Sequence, residues 1–347
     1  MMDFGKLLSA YELDTLLISS PANVRYLSGF TNPKDAQVIV SKSGATLLTD
    51  GRYTVQAGQE SHLPVRIAGR EERPQVYAEL LQGRIGFEAM GLSYGQLETL
   101  RQQAPGEWVP THDLIEQYRV RKSPQETGHI RAAANLADRA FEHILPFLQP
   151  GAREIDIALE LEFFLRKNGS EGVAFDTAVV SGPRSAMPHG SPSERVLQAG
   201  DLVTLDFGAV VEGYCSDMTR TVGVGAVSEE LKRIYAAVLE AQQQSLEAVA
   251  PGKTGQELDA LARGILEGKG YGQYFSHGLG HGVGLLIHEA PSLNKISEDV
   301  LEPGMVITIE PGVYIPDLGG VRIEDLVLVT EQGYEVLSHT PKDWLEL

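Results

Sequence analysis

LQAGDLVTLDFG, Leu197 to Gly208, and LEPGMVITIEPG, Leu301 to Gly312, are two copies of one pattern. At an offset of 104 residues, Gly200 meets Gly304, Asp206 meets Glu310 and Gly208 meets Gly312. A second acid follows each copy, Asp217 in the first and Glu324 in the second. Each copy reads as a hairpin. LVTLDFGAV is rich in strand formers, Glu212-Gly213 is a turn signal, and YCSDMTRTV returns. VITIEPGVYI, a turn over Pro316 to Gly320, and VRIEDLVLV repeat that layout. The turn positions predict that Asp206 faces Asp217 and that Glu310 faces Glu324. Directly opposed side chains lie about 5 Å apart, where like charges repel. The flanking residues are too apolar for exposed strands, and buried carboxylates must be paired or bind metal. The pattern therefore predicts a nest of acids closed on a cation rather than four solvated surface acids.

A histidine cluster adds a fifth ligand. HGLGHGVGLLIHE holds His277, His281 and His288, and its alternating glycines disfavour a helix and allow close backbone approach. The duplication reaches further upstream. PHGSPS, from Pro188, resembles HEAPS, from His288, and pairs His189 with His288. LQPGAREIDIALELEFFLRKNG resembles VAPGKTGQELDALARGILEGKG; each is a Pro-Gly start followed by an amphipathic helix. Residues from about 124 onward thus predict two helix-plus-hairpin halves, with a site drawing ligands from both.

The constellation Asp206, Asp217, His281, Glu310 and Glu324 resembles the five-ligand dinuclear metal site of the pita-bread metallopeptidases, which include methionine aminopeptidase, aminopeptidase P and prolidase. SGPRSAMPHG, DFGAVVEGYCSDMTRT, HGLGHGVGLLIHEAP, EPGVY and GVRIED are similar to the proline-specific branch. The resemblance implies two divalent ions, with Asp217 and Glu324 bridging them, Asp206 completing one, and His281 and Glu310 serving the other. Carboxylates with one imidazole suit hard or borderline ions, Mn²⁺ first, with Co²⁺ or Zn²⁺ as alternatives. Two such ions about 3.5–4 Å apart acidify a shared water and stabilise the oxyanion of an attacked amide. Glu310 would accept the proton of the attacking water. His189 and His288 match histidines that contact the substrate carbonyl and the tetrahedral intermediate, and His277 matches one near the substrate. Tyr314 matches a tyrosine near the metals. Arg322, two residues before Glu324, shares its strand face and would orient the acids or bind substrate. Cys215, the only cysteine, lies two before Asp217 and should share its strand face near the metals.

The remaining sequence sets the context. The fold expected is α/β (α+β), with a pita-bread catalytic domain over 121–347 carrying a pseudo-twofold duplication. A smaller creatinase/prolidase-like α/β domain over 1–120 precedes it. DTLLIS, QVIVS and ATLLTD read as strands there, and TDGRY and YLSGF resemble the companion domain of aminopeptidase P, prolidase and creatinase. Pro124 with Glu126 in the first turn marks a helix start at the boundary. The net charge of −18 argues against nucleic acid or anionic lipid as partner. No apolar run is long enough to span a membrane, and MMDFGKLLSAYELDTLLIS lacks the features of a secretory signal. A single cysteine fits a reducing cytoplasm. The resemblance implies a homodimer.

Substrate length is the open question. The expected substrates are small peptides with proline in second position, cut before the proline. Ser292 stands where some prolidases carry an arginine that pins a dipeptide's carboxylate, and Asn23 where aminopeptidase P often has an acid for the free amine. Arg52, Arg184 and Lys34, in that order, are the replacement cations. The reading favours an Xaa-Pro dipeptidase. The alternatives are an aminopeptidase P acting on longer peptides and, from another class, a metal-free creatinase-like or binding protein, which would lack ligands that are all present here.

Overall fold

The structure is a computed structural model and describes residues 2–347. It divides into two compact units, Met1–Arg119 and Val120–Leu347.

The N-terminal unit is built on six strands: β1 Thr15–Ile18, β2 Gln37–Ser41, β3 Gly44–Thr49, β4 Val65–Ile67, β5 Arg84–Glu88 and β6 Glu107–Thr111. They form one sheet in the order β4-β3-β2-β1-β5-β6, with β2 antiparallel to both its neighbours. Successive residues feed different cores. Leu16, Val38 and Leu47 enter one apolar cluster, while Leu17, Ile39 and Leu48 enter the other. That is why these strands read as continuous apolar runs: both faces of the sheet are covered.

The C-terminal unit opens with a helix over Pro124–Ile144, capped by Ser123 and Glu126, each satisfying the other's backbone N–H. Its strands are β7 Ala178–Ser181, β8 Asp201–Phe207, β9 Val210–Val211, β10 Tyr214–Cys215, β11 Met218–Val224, β12 Gly280–Gly282, β13 Glu289–Leu293, β14 Val306–Ile309, β15 Gly312–Ile315, β16 Gly319–Arg322, β17 Asp325–Thr330 and β18 Gly333–Val336. One sheet runs β11-β8-β7, another β13-β12-β14-β17-β18, and β9-β10 and β15-β16 are the hairpin tips.

The duplication is reproduced bond for bond. Gly151 N–H donates to Leu197 C=O at 3.0 Å, and Gly252 N–H to Leu301 C=O at 2.9 Å. Each bond is answered at 2.8 Å, by Leu197 N–H to Ala152 and by Leu301 N–H to Lys253. The helices Glu154–Lys167 and Gly255–Gly268 follow, their first N–H groups bonded to Arg195 and Asp299. Gly200 and Gly304 turn into the hairpins with φ of 94° and 90°, a left-handed region that favours glycine.

The strand register corrects one expectation. Asp206 lies opposite Thr219, not Asp217, and the same register continues to Val211 opposite Tyr214. The loop between those strands is just Glu212 and Gly213, both with positive φ, the two-residue turn that matches strand twist. Its centre falls one residue beyond the midpoint of Asp206 and Asp217, so Asp217 is displaced diagonally. In the second half Ile309 lies opposite Asp325 and Gly312 opposite Arg322, which puts Glu310 opposite Glu324, as expected. Positionally, then, Glu324 is the counterpart of Thr219, and Arg322 is the counterpart of Asp217. No helix among the described residues is long and apolar enough to cross a membrane.

Candidate metal centre

The five predicted ligands converge. Asp206 stands near the end of β8 and Asp217 directly before β11. His281 is the middle residue of β12, Glu310 follows β14 and Glu324 precedes β17. All five line one cavity of about 530 Å³. Close backbone approach makes this possible. A Cβ on Gly280 would lie 2.1 Å from the Thr308 carbonyl oxygen, and one on Gly282 2.2 Å from that of Ala290. The alternating glycines around His281 thus let β12 press against its neighbours.

Ligand atoms of Asp217, His281 and Glu324 lie within 4.8 Å of one another. His281 Nε2 is 3.3 Å from Glu310 Oε1 and 3.6 Å from Asp217 Oδ2. Its Nδ1 lies 3.1 Å from the Gly282 carbonyl, so Nδ1–H donates there and Nε2 is the ring nitrogen that faces the acids. Thr308 Oγ1 receives His281 N–H and donates to Glu310, both at 3.1 Å. Thr219 Oγ1 donates to Glu324 Oε2 at 2.7 Å. Asp206 Oδ1 and Glu324 Oε1 are buried without any hydrogen-bond donor among the described residues. A buried, unsatisfied carboxylate oxygen is costly, and a divalent ion supplies the missing partner. The donor set therefore fits hard or borderline dications.

The electrostatics agree. Burial, then repulsion from neighbouring carboxylates, pushes Asp217 and Glu324 well above the ordinary carboxylate range. Burial raises Asp206 as well, against the pull of Arg322. Burial also works against the Glu310 carboxylate, but the contact with His281 outweighs it and holds Glu310 down to about 2. His281 shows the reciprocal effect: burial opposes its charge, and Glu310 nevertheless raises it.

Beside the acids runs a polar chain. Arg322 donates to Asp206, to Thr219 Oγ1 at 3.0 Å and to Tyr314 Oη at 2.7 Å. Tyr314 in turn lies 2.8 Å from His277 Nε2, and His277 Nδ1 lies 2.8 Å from the Gly278 carbonyl. With Arg322 donating to it, the Tyr314 hydroxyl gives its own hydrogen to His277. Burial lowers the pKa of His277, keeping the ring neutral, and pushes the Tyr314 hydroxyl up to about 12. His189 and His288 line the same cavity from exposed positions, and the His288 ring meets that of His281 edge-on at 4.3 Å.

Other expectations fall elsewhere. Cys215 does not line the cavity; it is buried with Ile130, Ala134, Val283 and Val306. Cys215 ends β10 and Asp217 lies in the break before β11, so the two side chains need not share a face. Arg184 is outside the lining as well. It donates to buried Glu154 at 3.1 Å and to the Ser191 carbonyl at 2.6 Å. Arg52 belongs to the N-terminal unit and is ion-paired with Asp35 and Asp50. Lys34 is in that unit too. Asn23 is a buried hub there, donating to Glu88 and Glu116 and accepting from Arg119. Ser292 does line the cavity, with Asn294, Phe175 and Asp176. Sequence reading missed Thr219 and Thr308. Each lies on a strand, two residues from a predicted ligand just beyond that strand's end, and that spacing is the signal that would have found them.

Fold and site together define a two-domain metallopeptidase. Residues 128–331 match metallopeptidase family M24, and residues 3–121 match the creatinase/prolidase N-terminal domain. The chain belongs to that family. A Pyrococcus furiosus protein named Xaa-Pro dipeptidase is 42% identical, with 98% of this chain and 97% of that one covered. The solved Xaa-Pro dipeptidase from Bacillus anthracis superposes with a TM-score of 0.95 at 44% identity, covering 99% of each chain. An X-Pro aminopeptidase from Thermotoga maritima superposes at 0.90 with 36% identity, covering 99% of this chain and all of that one.

Proposed function

We propose that this protein is a Xaa-Pro dipeptidase that hydrolyses the bond before proline. The observation that carries the reading is the convergence of Asp206, Asp217, His281, Glu310 and Glu324 on one cavity, with two buried carboxylate oxygens lacking donors. Asp217 and Glu324 are assigned to both of two divalent ions, Asp206 to one, and His281 and Glu310 to the other. Mn²⁺ is the first choice and Co²⁺ or Zn²⁺ the alternatives. Bound there, the ions supply Lewis-acid polarisation of the scissile carbonyl and acidify the attacking water. Glu310 would accept the water's proton. His189 and His288 steady the substrate carbonyl and the charge that develops on it. Arg322 fixes Asp206 and, through Tyr314, the neutral form of His277 that faces the substrate. The protein is assigned to the cytoplasm as a homodimer, with small peptides as its partners.

The second reading is an aminopeptidase P acting on longer peptides. It is favoured by the cavity's cations. Among the described residues lining it, Arg322 is the one arginine or lysine, and it is already bound to Asp206. A dipeptide's carboxylate would need another cation. Arg52 remains the first candidate, and Arg184 and Lys34 follow. A panel of Xaa-Pro dipeptides and Xaa-Pro-Xaa tripeptides, assayed with Mn²⁺, Co²⁺ and Zn²⁺, decides between them. Higher kcat/KM on the dipeptides supports the first reading, and higher kcat/KM on the tripeptides supports the second. Absence of divalent metal from reconstituted protein, by elemental analysis, would sink both.

A further inference from the structure

A second cavity, of about 350 Å³, is lined by residues of the N-terminal unit. It sits where β1, β3, β4 and β5 end and β2 begins. Ser19 follows β1, Gln37 starts β2, Asp50 follows β3, and Gly91 lies beyond β5. In open α/β sheets the carboxyl ends of the strands are where ligands bind.

Its charge runs against that of the chain. The protein carries −18 overall, yet this cavity gathers Lys34, Arg52, Arg70 and Arg73 against two acids, Asp35 and Asp50. Both acids are already engaged. Arg52 donates to Asp50 at 2.8 and 3.0 Å and to Asp35 at 3.0 Å, and the Tyr53 hydroxyl donates to Asp35 at 2.6 Å. Lys34, Arg70 and Arg73 have no ion-pair partner among the described residues.

The neutral groups point the same way. Gln96 Oε1 accepts Ser93 N–H at 2.8 Å, and Gln37 Oε1 accepts the Tyr77 hydroxyl at 2.7 Å. Each amide thus spends its acceptor on the protein and keeps its NH₂ group. The neighbouring helix Pro21–Ser28 offers no competing anion site, because Glu88 already accepts the N–H groups of Ser19 and Ser20 at its start, both at 2.6 Å. What this cavity offers an incoming ligand is three cations outside any ion pair and two amide NH₂ groups.

We propose that this cavity is an oxyanion site for a small ligand bearing a multiply charged phosphate or polycarboxylate group. Two guanidinium forks and an ammonium match the oxygens of such a group, and the amide donors complete its shell. Arg70 and Arg73, unlike Arg52 and Lys34, have no part in the peptidase reaction proposed above.

The test uses metal-loaded full-length protein, with inorganic phosphate and citrate as probes at constant ionic strength set by chloride. Calorimetry and thermal shift should show saturable binding of one or both anions. Phosphate alone would identify a phosphoryl ligand, and citrate alone a polycarboxylate. The double variant Arg70→Gln/Arg73→Gln should lose about tenfold or more in affinity, with kcat/KM for peptide hydrolysis in chloride buffer unchanged. The Arg70→Lys/Arg73→Lys variant should keep most of the binding, which separates charge from a folding defect. No saturable binding of either anion overturns the proposal. So does binding of equal affinity in wild type and the Gln variant, the result expected if the anion sits at the metal centre.

Discussion

The two halves of the C-terminal unit share the backbone that starts their helices and enters their hairpins, and differ in chemistry. The hydrogen bonds that start their helices and enter their hairpins match one for one, from Gly151–Leu197 and Gly252–Leu301 onward. The first acids also match, Asp206 with Glu310. The second acids do not. The first half carries its acid at Asp217, where the second half has Arg322, and the second half carries its acid at Glu324, where the first has Thr219. The pair Thr219 and Glu324 meet directly across the two halves, hydroxyl to carboxylate. Duplication supplies a rigid symmetric frame; unequal residues at equivalent positions turn it into a site with distinct ends. A fully symmetric set would put six acids around the cavity and leave no arginine to hold Asp206.

The largest effect is expected where the halves differ. Asp217→Asn and Glu324→Gln should each abolish measurable activity and lower metal content by elemental analysis, although the two positions are not equivalent. Asp206→Asn should cost mainly one ion. Equal loss of both ions in all three variants would erase the distinction between the ends of the site.

His189→Ala and His288→Ala come next. Both should retain their metals and lose on the order of 10²–10³ in kcat, the usual cost of removing a group that stabilises developing charge. Near-normal kcat in either variant would demote that histidine to a packing role. Loss of metal would make it a ligand.

Thr219→Val tests the contact between the halves. It removes the donor to Glu324 and the acceptor of Arg322 Nε. A hydrogen bond to a charged group contributes about 1.5–3 kcal/mol, so metal affinity should fall roughly ten- to a hundredfold. Unchanged affinity, by competition with a chelator, would show that Glu324 is held by its strand alone.

The smallest effect is one of pH. Asp217 and Glu324 are raised above their ordinary values of 3.8 and 4.5. Without a cation the folded state therefore holds protons that the unfolded state has released. Stability of metal-stripped protein should fall as pH rises above about those ordinary values toward neutrality. Metal replaces those protons, so its stabilising shift in melting temperature should be larger at neutral pH than at mildly acidic pH. A shift independent of pH would show that these two acids are ionised before metal arrives.

The site was legible because each ligand sits in its own short motif, and an acid between apolar strand residues has few explanations besides a cation. The N-terminal strands were legible for a related reason: DTLLIS and QVIVS are apolar at successive positions, which only a sheet covered on both faces satisfies. Cys215 was misplaced because β10 ends at Cys215 and β11 begins only at Met218, so strand alternation does not carry across to Asp217. Arg184 looked free in sequence because its partner, Glu154, is thirty residues away and buried. Local pattern determined which residues are ligands, since residue type and apolar flanks are properties of a few neighbouring positions. Only the tertiary structure decided which residues stand opposite each other. The turn at Glu212-Gly213 and the loop around Asp317, φ 62°, differ in length, and each sets the register of its whole hairpin. Whether Thr219 reaches Glu324 and Arg322 reaches Asp206 depends on how the two halves meet, more than a hundred residues apart in the chain.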